Sequence, residues 1–421
     1  MIEKAVALGI FVLVYVLMIS EKVHRTVAVL LGAVLMVGVG VLSEADVIHH
    51  VHWEALGLIF GMFVIVAALG ESGFFRWVGM HALRAAKHDP VKVFVLFGVL
   101  SAIMAAFMDS ITVLIFMAAL TIEACRLLGV KPFPYLLVEI TSANIGGAAT
   151  MVGDPPNVII GTALNYSFID FVTGVGPIAV VLFFVNMGLL LIIFRRSLRN
   201  AEPPQDAGDT DPYSCVKDLK LMRMALVIFT FTVTLLVLHT LLDVVVAFVA
   251  ILGATLILLV WGRHLPDLLD KVDWHAIIFL AGLFVVVGGL EAVGLLTDLA
   301  NWVVGVSGGN HFLVITMIFW VFAPISAFTD NVPFAAAMVP VIRNVSASTG
   351  LKLSTLAWTL AITADVSGNG TPIGASANVV GLAVAKGRGV RVTWLEYCRV
   401  AFPLMLLCIL LANVLVWLLY L

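Results

Sequence analysis

Apolar runs alternate along this chain with short polar connectors, and the pattern is written twice. Runs at about 5–20, 26–42, 54–73, 135–167 and 175–194 are followed by a second set at about 224–241, 243–261, 274–294, 354–384 and 400–421. Most are long enough to cross the ~30 Å hydrocarbon layer of a bilayer as a helix. Between the third and fourth run of each half lies a pair of shorter apolar arms, 91–107 with 110–125 and 311–328 with 332–342. The arms meet at Asp109-Ser110 and at Asp330-Asn331. Strand-type alternation is absent, so the predicted class is an all-α polytopic membrane protein.

The two halves share a register. Residues 51–160 lie over residues 272–381 without a gap, at a spacing of 221 positions (274 − 53). Trp53 falls on Trp274, Gly61 on Gly282, Gly73 on Gly294, Asp109 on Asp330, Thr150 on Thr371, Gly153 on Gly374 and Asn157 on Asn378. A duplication this long in so apolar a chain predicts a two-fold transporter architecture with its site between the halves. Five crossings per half is an odd number, so the second repeat is expected to enter the membrane inverted. Each arm pair is either a re-entrant hairpin or two full crossings, because both return to the starting side.

Composition fits this picture. The chain of 421 residues is 62% hydrophobic and 12% charged, which excludes a soluble globular protein. The net charge of −3 says less than the distribution of bases. Twenty of the 23 Lys and Arg residues, among them Arg25, Arg76, Arg126, Arg199, Arg263 and Lys386, fall on one predicted side, with Lys4, Arg343 and Lys352 on the other. Positive charge concentrates on the cytoplasmic face, so residues 197–222 are expected to form a cytoplasmic polar linker with both termini outside. The first repeat then spans 1–196 and the second 223–421, in the inner membrane if the source is bacterial. The run from Ala5 to Ile19 lacks the basic lead-in and cleavage site of a leader peptide and reads as the first span. The four cysteines show no metal or disulfide spacing. Nothing points to nucleic acid, to catalysis or to a cofactor beyond a coupling Na⁺ or H⁺.

Polar residues intrude where a plain span would be apolar in two places per half. One is the arm junction, where Asp109 and Asp330 have the position of helix N-caps, followed by Ser110 and Asn331. The other is a predicted break within the fourth of the five long runs. In the first half it runs from Ser142 to Asn157 and includes Asn144, Gly146, Gly147, Thr150, Gly153 and Asp154. In the second it runs from Thr363 to Asn378 and includes Asp365, Gly368, Asn369, Gly370, Thr371 and Ser376. Asp154 precedes Pro155-Pro156, a pattern for the start of a new half-helix. Unwound backbone at membrane depth is tolerated only where protein or a cavity surrounds it. Helix N-termini there offer partial positive charge to an anion, while Asp109, Asn144, Asp330 and Asp365 offer oxygen ligands to Na⁺ or a seat for H⁺. The bland alternative, a glycine-rich packing surface, explains single glycines but not two matching breaks with carboxylates. His49, His50 and His52 read as a solvated outer loop, and Glu71, Glu123, Glu139 and Glu291 as interfacial or packing residues.

The segments AFMDSITVLIFM, ANIGGAATMVGDPPNVIIG, AFTDNVPFAAAMVP and GNGTPIGASANVVG resemble the ArsB/NhaD permeases of the ion transporter superfamily, most of all the branch of the P protein. The resemblance covers nearly the whole chain. It implies inverted repeats with re-entrant hairpins, a site formed by hairpin tips and broken helices, and a homodimer with a moving transport domain. Relatives in that family are associated with arsenite or antimonite efflux, Na⁺/H⁺ antiport, silicon efflux, carboxylate uptake and anion movement. The Ser-Asn-Thr tips of the dicarboxylate branch are replaced here by Asp109-Ser110 and Asp330-Asn331, which suits cation or proton coupling better than direct carboxylate binding.

The leading expectation is therefore a secondary active transporter of an inorganic ion or small anion, coupled to H⁺ or Na⁺. The alternative is a carboxylate- or chloride-type anion transporter or channel. A reading from another class, an intramembrane aspartyl protease, needs Gly-x-Gly-Asp where the chain has Met151-Val152-Gly153-Asp154. A single dyad also leaves the duplication of Asp109 at Asp330 unexplained.

Overall fold

The computed structural model describes residues 2–20, 22–199, 212–262 and 265–421. Residues 200–211 of the expected linker, the Arg199 side chain and Arg263 lie outside what is described. Every regular element among the described residues is helical. The first half comprises α1 (Ile2–Ile19), α2 (Arg25–Gly38), α3 (Glu44–His50), α4 (Trp53–Ser72), α5 (Phe74–Ala85), α6 (Pro90–Ala105), α7 (Ser110–Leu128), α8 (Pro132–Ala148), α9 (Pro155–Leu164), α10 (Phe168–Gly174) and α11 (Gly176–Arg199). The second comprises α12 (Leu219–Leu242), α13 (Val246–Trp261), α14 (Leu265–Leu269), α15 (Trp274–Ala292), α16 (Leu295–Ser307), α17 (His311–Phe328), α18 (Asn331–Thr349), α19 (Leu353–Gly368), α20 (Ser376–Gly387) and α21 (Trp394–Tyr420). Eight of these helices, α1, α4, α7, α11, α12, α15, α17 and α21, are long and apolar enough to cross a membrane.

Helix starts repeat the sequence register. Helices α2, α4, α6, α7, α8 and α9 begin at Arg25, Trp53, Pro90, Ser110, Pro132 and Pro155, and their counterparts at Val246, Trp274, His311, Asn331, Leu353 and Ser376, each 221 positions later (353 − 132). Local chemistry explains the match. Asp89 accepts from the Val91 and Lys92 N–H groups to cap α6, and Asn310 accepts from Phe312 and Leu313 to cap α17. Gly73 and Gly294 end α4 and α15 with φ of +89° and +77°, a region that costs glycine little.

The halves also exchange contacts in matching pairs. Helix α4 packs on α13, and α15 on α2. Gly61 lets α4 press against the backbone of Ala250, and Gly282 lies against Val29 at the corresponding point of the other pair. In the same way α7 packs on α20 and α18 on α9, while α8 and α19 meet at the centre. Helix α8 is buried from Pro134 to Ala148 and α19 from Thr355 to Gly368. At the periphery, α1, α11, α12 and α21 expose large apolar side chains such as Val16, Ile192, Leu241 and Leu418, as a lipid-facing rim requires.

Three boundaries differ from the sequence expectation. The predicted breaks of 142–157 and 363–378 shrink to non-helical stretches at 149–154 and 369–375, because α8 and α19 stay helical through Asn144 and Asp365. Gly146 is there for packing: a Cβ at that position would strike the backbone of Ala102 on α6. The arm 332–342 continues to Thr349, with Pro340 inside the helix and the Arg343 guanidinium donating to the Ala163 carbonyl at the end of α9. The His49–His52 stretch is not a solvated loop. His50 closes α3 and His52 precedes α4; both are half-buried, and His52 stands edge-on to Phe284.

Candidate functional site

The two hairpin tips and the two helix breaks converge at the centre. Asp109 caps α7 by accepting from the Thr112 N–H at 3.1 Å, and Asp330 caps α18 by accepting from Val332 at 3.2 Å. Both fulfil the N-cap role read from sequence. Asp154 stands at the start of α9, before the two prolines, but its side chain does not cap that helix. It turns to the first hairpin, where Oδ1 accepts from the Ser110 hydroxyl and, at 3.3 Å, from the Ser110 N–H.

Each break is held by the same pair of residues. Asn157 donates to the carbonyls of Gly147 and Thr150 at 2.9 and 3.1 Å, and Asn378 to those of Gly368 and Thr371 at 2.7 and 2.9 Å. These carbonyls have lost their helical partners, so the two amides replace the missing bonds. The Thr150 hydroxyl donates to Ala106 O and the Thr371 hydroxyl to Ala327 O, tying each break to its hairpin. Gly153 and Gly374 allow the backbone to pass close to Gly147 and Gly368. Asn157, Asn378, Thr150 and Thr371 thus build the frame, and the glycines make room for it; Gly370 lies against Met405.

Between the frames the halves diverge. Asp365, fully buried on α19, accepts from Asn331 at 3.1 Å and faces Asn157. At the equivalent place on α8, Asn144 donates to Asn369 and Asn378 at 2.8 and 2.9 Å. Asp154 and Asp109 line one small cavity together with Val152 and Pro155. Asp109, Asp154 and Asp365 are all buried, and none of them is in an ion pair among the described residues. Across the site, five buried acceptor oxygens have no hydrogen-bond donor among the described residues: Asp109 Oδ1, Asp154 Oδ2, Asp365 Oδ2, Asn144 Oδ1 and Asn157 Oδ1. Buried acceptors left without a donor are costly.

Asp330 has a different environment. Its carboxylate accepts from Ser376, the first residue of α20, and from Arg25 Nη1 at 3.2 Å; Arg25 also donates to Ser376. The guanidinium lies 5.5 Å from the Phe279 ring centroid. A cavity of about 350 Å³ opens beside this group, lined by Tyr15, His24, Thr329 and apolar side chains.

Comparison with known proteins follows the same geometry. The sequence signature of the CitMHS citrate transporters matches residues 15–363. The chain belongs to that family. This transporter is 33% identical over 423 residues to an uncharacterised transporter of Mycobacterium tuberculosis, with 99% of each chain covered. It is 31% identical to a 46 kDa membrane protein of Mycobacterium leprae, again over 99% of each. The human P protein is 29% identical over 96% of this chain and 58% of its own length. The crystal structure of the Alcanivorax borkumensis YdaH transporter superposes with a TM-score of 0.60 at 14% identity, covering 88% of this chain and 86% of that one. The protein is thus a multi-pass integral membrane transporter of the CitMHS and P protein type.

Two residues of the transporter were not marked by their sequence context. Arg25 reads as an ordinary inside-facing base, yet the duplicated register carries a clue, since Val246 occupies the equivalent position. Glu139, read as a packing residue, is wholly buried, accepts from Thr121 and leaves Oε2 unpartnered. Glu71 and Glu123 do behave as interfacial residues, paired with Lys217 at 3.2 Å and Arg76 at 3.0 Å.

Proposed function

We propose that the protein is a secondary active ion transporter whose coupling cation, Na⁺ or H⁺, sits among Asp109, Asp154 and Asp365. The observation that carries this reading is the set of unpartnered buried oxygens on three carboxylates and two amides, none of the carboxylates being in an ion pair among the described residues. No three His, Cys, Asp or Glu side chains among the described residues are arranged to chelate a metal by themselves. A mixed set of carboxylate, amide and freed carbonyl oxygens suits a weakly held Na⁺ or an exchanging proton. The acids tolerate burial because α7 and α9 begin beside them, and the partial positive charge of a helix N-terminus offsets part of their desolvation.

In this reading the repeats are inverted, the arms are re-entrant hairpins, the basic face is cytoplasmic and the protein works as a homodimer. The repeated helix starts and exchanged contacts support the two-fold arrangement. The transported substrate is an inorganic ion or small anion, as in the ArsB/NhaD branch. None of Cys125, Cys215, Cys398 or Cys408 lies at the tips or breaks, so a thiol-held arsenite is not part of the proposal. A second reading, a carboxylate of the citrate type, is favoured by the matching family and by the Arg25–His24 cavity beside the second tip.

Flux into proteoliposomes tests both readings. Arsenite, citrate, chloride and Na⁺ are offered under imposed pH or Na⁺ gradients, with Asp154→Asn and Asp365→Asn as controls. Uphill, saturable flux lost in both variants is the expected result. Flux indifferent to either gradient would instead make the protein a channel, and undiminished coupling in the Asn variants would remove the cation site from this cluster.

A further inference from the structure

The duplicated register places one carboxylate at each hairpin tip, but the two tips are neutralised differently. Asp109 has no cationic partner among the described residues, and one of its oxygens has no hydrogen-bond donor. Asp330 is bridged by Arg25, whose single Nη1 reaches both the carboxylate and the Ser376 hydroxyl that the carboxylate also holds. The equivalent of Arg25 is Val246, which is buried and cannot supply a charge. Arg25 comes from α2, which packs on α15, whereas Asp330 and Ser376 belong to the hairpin and the broken helix. The cation at the second tip is thus part of the protein, delivered from a different element. Arginine suits this task because its guanidinium stays charged at any working pH.

We propose that Arg25 is a tethered counter-ion standing where a two-fold symmetric site would take a second coupling cation, so that each transport cycle carries one cation, bound at the first tip. The inference rests on the reading of the Asp109–Asp154–Asp365 cluster as the cation site. It adds a stoichiometry and names the residue that sets it. Removing the guanidinium leaves the Asp330 carboxylate, Ser376 and a cavity of about 350 Å³ at the same place, which is the setting for a mobile ion. The other titratable groups lining that cavity are His24, which contacts His275, and Tyr15; among the described residues the side chains that donate to the Asp330 carboxylate are Arg25 and Ser376.

The test is the coupling stoichiometry of the full-length protein in proteoliposomes, read from the Na⁺ or H⁺ gradient at which net substrate flux vanishes. Wild type is expected to move one cation per substrate, Arg25→Val two and Arg25→Lys one. A one-cation stoichiometry retained in Arg25→Val, or two already in wild type, overturns the proposal. If Arg25→Val is inactive, the double variant Arg25→Val with Asp330→Asn removes both the tether and the charge it balances. It is expected to regain flux with one cation, and continued inactivity of a monodisperse, folded double variant overturns the proposal as well. Wild-type flux driven by neither gradient sinks the cation-site reading, and this inference falls with it.

Discussion

The two hairpin tips begin from the same residue and end with different chemistry. At the first, Asp109 shares a small cavity with Asp154, and neither is in an ion pair among the described residues; at the second, Asp330 is satisfied by Arg25 and Ser376. The Arg25 and Asp330 side chains are 29% and 12% exposed, so the pair is largely withdrawn from solvent. The frame around each tip is unchanged, since Asn157 with Thr150 matches Asn378 with Thr371 bond for bond. The same frame is therefore built twice, while the charged residues around it differ: Asp154 stands opposite Ala375, Asn144 opposite Asp365, and Arg25 opposite Val246.

The largest effect is predicted for the acidic centre. Asp154→Asn and Asp365→Asn each remove a charged ligand, and coupling-cation affinity should fall about 100-fold, the equivalent of losing one charge-assisted contact. Calorimetric titration of the purified variants with Na⁺ and with acid checks this; an unchanged affinity for both would show that the unpartnered oxygens are not ligands.

The next prediction opposes the two tips directly. Asp330→Asn leaves Arg25 uncompensated and should cost about 2 kcal/mol of stability, whereas Asp109→Asn breaks no ion pair and should be neutral or stabilising. Thermal unfolding of the purified variants measures both, and equal losses would erase the distinction drawn here.

A smaller difference separates α8 from α19. Gly146 faces the Ala102 backbone, while its counterpart Ser367 is accommodated and donates to Thr363 O. Gly146→Ser should destabilise by about 1–3 kcal/mol through overpacking, and Ser367→Gly by about 1 kcal/mol at most. Similar melting temperatures for the two variants would mean that the close approach of α6 to α8 does not constrain position 146.

The smallest expected effect is also the symmetric one. Thr150→Val and Thr371→Val each lose one hydroxyl bond to a hairpin carbonyl and should cost about 1 kcal/mol apiece. A marked inequality in denaturant midpoints would show that the frames are less equivalent than their hydrogen bonds.

Much of the architecture was legible beforehand, because membrane helices are marked by run length and the duplication is collinear. Helix starts at Trp53 and Trp274, Pro90 and His311, and Ser110 and Asn331 follow from caps and prolines that act over three or four residues. The breaks were legible in kind but drawn too wide. Glycine at 146 and 147 looks the same in sequence whether it unwinds a helix or admits a neighbouring one. Only the neighbours decide that they pack: α6 lies against Gly146 and the Asp154 side chain against Gly147. Asp154 was placed correctly at the start of α9, but its partner Ser110 is 44 residues away and could not be read from local pattern.

The sequence by itself determined the helices, their repetition, and the presence of acids and amides at matching tips and breaks, since those features rest on hydrophobicity and short-range backbone chemistry. Which acids remain unbalanced was decided only by the tertiary structure. The bond between Arg25 and Asp330 spans 305 positions, and a base on one helix neutralises an acid on another only once packing has brought them within reach and excluded the water that would screen them.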